Sequence, residues 1–196
     1  PEVQAFLLAT SVLGRFCADL CRAVTEQPDA GRLLRLVDEA NLFLVPLDDE
    51  ATWFRYHGLF AELLRDELDR RHPGAARSLR RRAAAWFADR HDARGAVLQL
   101  SAAGDLGEAF SMVNADPYDA GWGALIGTDW SRVFPPGWVA DDPVRMLHFG
   151  ALLGRNGQLG EATRWLDRAA AELAGYPEGH PARGVLLSAQ AMWHGV

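Results

Sequence analysis

The sequence has 196 residues, which allows one large domain or two small ones. Hydrophobic residues make up 49% and charged residues 23%, a composition typical of a soluble protein with a packed core. No apolar run approaches the ~20 residues that span a bilayer, and no signal peptide is evident, so we expect a cytoplasmic protein without a membrane partner. The net charge of −6 argues against nucleic acid as the main partner.

The first 40 residues predict three short helices. Apolar residues recur at helical spacing in the segments 2–13, 18–24 and 29–41. Asp29 is the candidate N-cap of the third helix, because its carboxylate can accept a hydrogen bond from the first turn. The residues of this helix expected to face inward are Leu33, Leu36, Val37 and Ala40.

A β-hairpin and a fourth helix are predicted next. Two β-prone runs flank the acidic turn "LDDEAT" (47–52), and Pro46, which lacks an amide donor, belongs on an edge strand or near a strand end. At His57 the strand pattern changes to helical spacing, which continues to residue 72. Three helices followed by a hairpin and a packing helix predict a winged-helix domain over residues 1–72.

The remainder, residues 73–196, predicts antiparallel helical hairpins without further strands. Helical spacing recurs in the segments 78–90, 93–104, 105–113 and 157–173, and "GDLGEA" (104–109) nearly repeats as "GQLGEA" (157–162). Each copy offers a glycine before a turn and a small Ala where a neighbouring helix approaches. Such units stack into tetratricopeptide-like solenoids, with residues 117–143 as an irregular unit between the copies. The predicted fold class is therefore mainly α.

Several other residues are functional candidates because of their chemistry. Cys17 and Cys21 lack further soft ligands and are interpreted as reduced, half-buried thiols. Neither catalytic nor metal-ligand spacing is found around the histidines, so we expect no enzymatic activity. Three further groups each have a structural and a binding interpretation. Arg77, Arg80, Arg81 and Arg82 form either a solvated face or a basic patch, and Asp48, Asp49 and Glu50 form either a solvated turn or a contact to a partner's arginines. The tryptophans 122, 130, 138, 165 and 193 either pack between repeats or form a wall for a flat ligand.

Three stretches carry a family resemblance: "FLLATSVLGRFCADLCRAVT", "LLRLVDEANLFLVPLDDEATWFRYHGLFAELLRDEL" and "RRRAAAWFADRHDARGAVLQLSAAGDLGEA". They are similar to the region that follows the nucleotide-binding domain in large LuxR-family regulators of the MalT type. Those proteins belong to the signal-transduction ATPases with numerous domains, called STAND proteins. The resemblance is dense over residues 1–114 and becomes a general helical-repeat likeness beyond them.

The resemblance implies a regulatory middle module of a longer protein, as does a chain that starts at Pro1 rather than Met. The nucleotide-binding domain would precede it, and the DNA-reading domain would follow it. ATP and ADP are thus implied for the parent, whereas this chain has no lysine and no phosphate-binding loop of its own. The implied partners are the upstream nucleotide-binding domain, the downstream repeats and a small-molecule effector, with homo-oligomers formed on activation.

His57 is the candidate binding residue. In related STAND proteins a Met-His-Asp motif begins a helix of the winged domain, and its histidine contacts the ADP β-phosphate. Tyr56, His57 and Gly58 resemble that motif, with Tyr in place of Met and Gly in place of Asp. The alternative is a histidine that packs on Phe60 and bonds the hairpin backbone.

Two other functions remain open from the residues alone. One is a helical-repeat scaffold that docks a protein or a small effector. The other is a winged helix that binds DNA itself, which would need a basic recognition helix. Residues 18–29 and 31–41 mix acidic and basic side chains and give no basic face.

Overall fold

The winged helix is built from three packed helices and a hairpin, as its apolar spacing predicts. The computed structural model describes residues 1–40, 43–115, 127–177 and 183–184. Helices α1 (Glu2–Thr10), α2 (Ala18–Thr25) and α3 (Ala30–Glu39) pack against one another, and α4 (Gly58–Arg71) packs on α1. Strands β1 (Leu44–Pro46) and β2 (Phe54–Tyr56) pair antiparallel, with Pro46 opposite Phe54 at the end of β1.

Helix α1 ends earlier than its apolar pattern predicted. The pattern runs to Leu13, but the helix stops at Thr10. The hydroxyl of Thr10 donates to the carbonyl of Phe6 at 2.8 Å, and that of Ser11 donates to Leu8 at 2.7 Å. Such side-chain bonds compete with helix continuation. The two apolar residues beyond the end, Val12 and Leu13, are still buried.

Two expectations for α3 are corrected by the structure. Asp29 is at the N-cap position, but its carboxylate bonds the Arg32 guanidinium and makes no capping bond. Leu34 is buried instead of Leu36, which is 41% exposed, and Ala40 is also exposed. A helix this short is oriented by its neighbours, so the buried stripe is rotated relative to the sequence estimate.

The start of α4 is anchored by a buried cluster behind β2. Phe16 and Phe54 exchange N–H···O bonds of 2.8 Å in each direction, which adds a third extended segment to the hairpin. The ring of Tyr56 lies 4.7 Å from that of Phe16, and its hydroxyl is hydrogen-bonded to Thr10 at 2.7 Å. These contacts hold the end of β2 and therefore the residue that follows it, His57.

Helical hairpins follow the winged helix, and no strand occurs after Tyr56 in the described part of the chain. Helix α5 (Ala75–Ala88) packs on α2 and on α6 (Ala93–Ala102), and α7 (Leu106–Ala115) comes next. The second half contains α8 (Trp130–Val133), α9 (Pro136–Ala140), α10 (Pro143–Arg155) and α11 (Leu159–Leu173), of which α10 and α11 pack as a hairpin. The mainly α fold with a winged helix is confirmed.

The near-repeated hexapeptides form the same kind of turn. Gly104 and Gly157 have positive φ angles of 81° and 80°, where glycine is favoured, and each lies between two helices. Two residues later a new helix begins, and the alanines Ala109 and Ala162 are fully buried. The repeat in the sequence therefore marks two helix–turn–helix connections of similar construction.

The chain divides into two compact units, Pro1–Ala109 and Phe110–Val196. The first unit contains the winged helix together with the hairpin α5–α6. The division between residues 72 and 73, which rests on the sequence alone, remains a prediction about separate domains.

Candidate functional site

His57 lies where β2 passes into α4, as the change in sequence pattern predicted. It occupies the N-cap position, with φ −58° and ψ 140°, and its backbone N–H donates to the carbonyl of Phe43 at 2.8 Å. The side chain makes no capping bond. The first-turn amides of α4 therefore point out of the helix end without a side-chain acceptor, and such free amides are the groups that bind anions at helix N-termini.

The imidazole ring of His57 is exposed. Among the described residues it makes no hydrogen bond, ion pair or ring contact. Phe60, the expected packing partner, instead contacts Tyr56 and Phe43, with ring centroids 5.7 Å and 5.1 Å away. The alternative interpretation expected His57 to bond the hairpin backbone, and its own backbone N–H does so at Phe43. The imidazole ring takes no part in that bond and is available to another molecule or domain. Whether it binds a nucleotide stays a prediction.

An apolar surface adjoins this histidine. Leu59 is 74% exposed and Leu63 is 63% exposed, one turn apart on α4, and the ring of Phe43 is also largely exposed. We call Phe43, Leu59 and Leu63 the α4 patch. Side chains of this size are rarely clustered in contact with water unless another surface covers them.

The acidic hairpin tip has a structural role through one of its three residues. The Asp48 carboxylate accepts hydrogen bonds from the backbone amides of Thr52 at 2.7 Å and Trp53 at 3.1 Å, and from the Thr52 hydroxyl. The hydroxyl bond is the main reason that the pKa of Asp48 is lowered. Asp49 and Glu50 are exposed at the turn. The tip is thus a stabilised turn that presents two carboxylates to solvent.

The arginine run of α5 is engaged in intramolecular contacts, which neither sequence interpretation foresaw. Arg77 and Arg81 both bond the carboxylate of Asp105 at the start of α7. Arg80 donates to the carbonyl of Val12 and Arg82 to that of Val24, both at 2.9 Å. These long-range contacts link α5 to the C-terminal regions of α1 and α2, and no local spacing could have revealed them.

Asp105 should make the stability of the first unit acid-sensitive. Its side chain is 7% exposed, and the hydrogen bond from Arg77, joined by that from Arg81, holds the carboxyl pKa below its ordinary value. A lowered pKa stabilises the fold above the unfolded-state pKa, near ~3.9, and this contribution is lost as the pH falls through the folded-state pKa. Asp105→Asn should therefore lower the melting temperature at pH 7, and the difference from wild type should close in acid. Asp69→Asn, at an exposed site on α4, is the matched control and should show no such difference.

The remaining candidates differ in burial where the structure describes them. Cys17 and Cys21 are free thiols, and burial raises the pKa of Cys21, with a smaller effect of Cys17. The described histidines and acids form no group that could hold a metal ion. His72 and His91 are exposed, and burial lowers the pKa of His148. His180, His194, Trp122 and Trp193 lie outside the described residues.

The described tryptophans pack against other aromatic rings. Trp130 stacks on Phe134 at 6.0 Å, and Phe134 in turn stacks on Trp138 at 5.9 Å. Trp165 meets Phe149 edge-on at 5.6 Å. This arrangement agrees with packing within the second unit. In the part of the chain that the structure describes, no helix is both long and apolar enough to cross a membrane.

Comparison with known proteins finds similarity mainly in the first part of the chain. Residues 1–76 match the family model of the MalT winged helix domain. The serine/threonine-protein kinase PknK of Mycobacterium tuberculosis is 36% identical over 116 residues, which cover 59% of this chain and 10% of the kinase. The HTH-type transcriptional regulator MalT of Vibrio parahaemolyticus is 40% identical over 87 residues (44% and 10%), and that of Yersinia pestis is 33% identical over 114 residues (54% and 12%).

The chain spans about a tenth of the length of the curated relatives it matches. The matched region has the three helices, the hairpin and the packing helix of a winged helix. Residues 1–76 of this chain therefore have the fold of a winged helix and match the MalT winged helix domain.

Proposed function

We propose that this chain is the winged helix and helical connector of a STAND-class regulator, and that it closes on an upstream nucleotide-binding domain in the ADP-bound resting state. The observation that carries the proposal is the exposed His57 side chain at the N-terminus of a 14-residue helix, without a partner among the described residues. Effector binding to the repeats would then be relayed to the ATPase by opening this contact.

The helix end is suited to a phosphate for two reasons. Unpaired amides and the positive end of the helix dipole favour an anion at the first turn of α4. An imidazole N–H in the same place adds a hydrogen bond to the charged phosphate, worth about 1.5–3 kcal/mol. The Asp of the STAND motif is replaced here by Gly58, so the ring orientation would depend on the backbone bond between His57 and Phe43.

The α4 patch supports a domain contact around the same histidine. Leu59 lies two residues after His57 on α4, and Leu63 lies one turn further along the same helix. Covering these two side chains would remove apolar surface from water, which is favourable by about 25 cal/mol for each Å² buried. A nucleotide-binding domain that closes on α4 would cover the patch and the histidine together.

The relatives support a regulatory role instead of an output role. The same region matches proteins named as a protein kinase and as HTH-type transcriptional regulators. A module that occurs both in a kinase and in transcriptional regulators is better explained as a control element than as the part that performs phosphorylation or DNA binding.

Several further properties belong to the proposal. The parent protein would be cytoplasmic, would bind ATP and ADP in the upstream domain, and would form homo-oligomers on activation. This chain itself would have no enzymatic activity and would contact DNA only through another domain of the parent. A scaffold that docks a protein or a small effector on the helical hairpins is the second candidate, and the nucleotide-dependent experiment below separates the two.

The closure can be tested by thiol accessibility in the parent protein. With Cys17 replaced by serine, Leu63→Cys places a reactive thiol in the α4 patch, while Leu159→Cys on α11 is an exposed control. We expect ADP to slow modification at position 63 about tenfold relative to ATP plus effector, which corresponds to ~1.4 kcal/mol of differential closure. Position 159 should react equally in both states. Equal reactivity of position 63 in both states would contradict the proposed closure and favour the scaffold.

We also expect no sequence-specific DNA binding by this chain at physiological salt. Its net charge is −6, and the hairpin tip presents Asp49 and Glu50 where a DNA-reading wing needs positive charge. Fluorescence anisotropy with labelled duplexes should show no selective binding at micromolar protein. Submicromolar, sequence-selective binding would make the winged helix itself a DNA reader.

A further inference from the structure

A cleft of about 390 Å³ lies in the first unit, between the segment that follows α1 and the helices α5 and α6. Its volume falls in the range of ~300–1,000 Å³ that is usual for small-molecule sites. Its lining includes Gly14, Arg15, Phe87, Arg94, Leu98 and Gln99. The cleft is separate from His57 and from the α4 patch, whose residues do not line it.

Arg15 is held in place at this cleft by its neighbours. Its Nη2 atom bonds the Asp92 carboxylate at 2.8 Å, and its guanidinium carbon lies 4.9 Å from the ring centroid of Trp53 and 6.0 Å from that of Phe87. A guanidinium has five N–H donors, so several remain for a ligand. Because the side chain is already positioned, binding would cost little additional conformational entropy.

Two more hydrogen-bond donors line the cleft. Gln99 is 9% exposed, and its Oε1 accepts a hydrogen bond from Arg80 at 3.3 Å, which leaves the side-chain amide nitrogen as the donor. Arg94 is exposed on α6. Neither this amide nitrogen nor the Arg94 guanidinium makes a hydrogen bond or ion pair within the described residues.

Positive charge exceeds negative charge around these donors. Arg80 is half-buried behind Gln99 and bonds neutral acceptors, Gln99 and the carbonyl of Val12; burial, together with nearby Arg65, lowers its pKa. The Asp92 carboxylate lies beside the cleft and already accepts bonds from Arg15 and from the amide of Gly95. An anion in the cleft would offset this excess.

We propose that the cleft binds a small ligand in which a phosphate or carboxylate group is attached to an apolar ring or chain. The oxyanion is bound by Arg15, Arg94 and the amide of Gln99, and the apolar part packs on Phe87 and Leu98. The ligand thereby links the winged helix to the hairpin α5–α6. This inference goes beyond the proposed closure on a nucleotide-binding domain and does not depend on it.

The test is a titration of the 196-residue chain with phenyl phosphate and with benzoate at low salt. Binding is measured by calorimetry and by the NMR signal of the Gln99 side-chain amide. We expect saturable one-to-one binding of at least one probe, and the tighter probe identifies the anionic group. Benzyl alcohol, which lacks the charge, and inorganic phosphate, which lacks the ring, should each bind at least about tenfold more weakly.

Two substitutions and a control locate the site. Arg94→Gln should weaken binding about tenfold or more, because one charge-assisted hydrogen bond is lost. Gly14→Leu should abolish binding by placing a side chain in open space at the cleft, where no atom lies within 4 Å of an added Cβ. Arg55→Gln, at an exposed arginine of β2, should leave binding unchanged. No saturable binding, equal affinity in Arg94→Gln, or inorganic phosphate bound as tightly as phenyl phosphate would each overturn the proposal.

Discussion

Replacing His57 with alanine should multiply the open-state population of the parent regulator about thirtyfold, since a contact made only in the closed, ADP-bound state and worth ~2 kcal/mol would be lost. The variant should therefore release ADP faster and be active without effector. Stopped-flow measurement of the ADP off-rate and a reporter assay without effector give the two readouts.

The matched control for this substitution is His72→Ala, which removes an exposed histidine at the other end of the same helix. It should leave the off-rate unchanged. The melting temperature of the isolated chain should barely change in His57→Ala, because the ring makes no contact among the described residues. An unchanged off-rate together with a lower melting temperature would assign His57 a purely structural role.

Gly95→Ala should be the more damaging of two glycine substitutions. An added Cβ at Gly95 would lie 2.4 Å from a ring atom of Phe87, which is buried and packs edge-on against Trp86 at 5.2 Å. Because the ring is buried against Trp86, it cannot move away without disturbing that contact, and overpacking of this kind costs about 1–3 kcal/mol. For a unit of this size, a loss of ~2 kcal/mol lowers the melting temperature by roughly 10 °C.

Gly107→Ala is the control for that experiment. It lies in α7 with nothing within 4 Å of an added Cβ, and alanine is the better helix former by up to ~1 kcal/mol. Thermal unfolding followed by circular dichroism should thus show it as stable as wild type or slightly more so. The combination Gly95→Ala with Phe87→Leu should cost less than the sum of the single changes, since both act on one contact. Equal stability of Gly95→Ala and Gly107→Ala would disprove the close approach.

The sequence predicts those parts of the molecule that are determined locally. Helical spacing located α2, α4 and α11, and the change of spacing at Tyr56 and His57 located the end of β2 and the start of α4. The hexapeptides at 104–109 and 157–162 identified two turns, because a glycine with positive φ is a local requirement. These features depend on neighbours within a few residues.

Features that depend on distant partners were not predictable from spacing. The arginine run of α5 reads as a solvated face, yet its partners lie at Val12, Val24 and Asp105. The bond between Phe16 and Phe54 joins residues 38 positions apart. The cleft beside Arg15 likewise exists because α6 packs near the segment after α1, a proximity that the sequence pattern does not encode.

The hydrogen bonds of Arg80 and Arg82 couple the orientation of α5 to that of the winged helix. The two guanidinium groups donate hydrogen bonds to the carbonyls of Val12 and Val24, so α5 must turn with α1 and α2. The helix has 14 residues and is therefore about 21 Å long. The two anchoring residues lie near the middle of the helix, so each end of α5 is about 10 Å from them. If the winged helix rotated by ~15°, a rigid α5 would carry its ends through about 2.5 Å. A rotation at the hairpin end of the winged helix would in this way displace the ends of α5 relative to the next pair of helices.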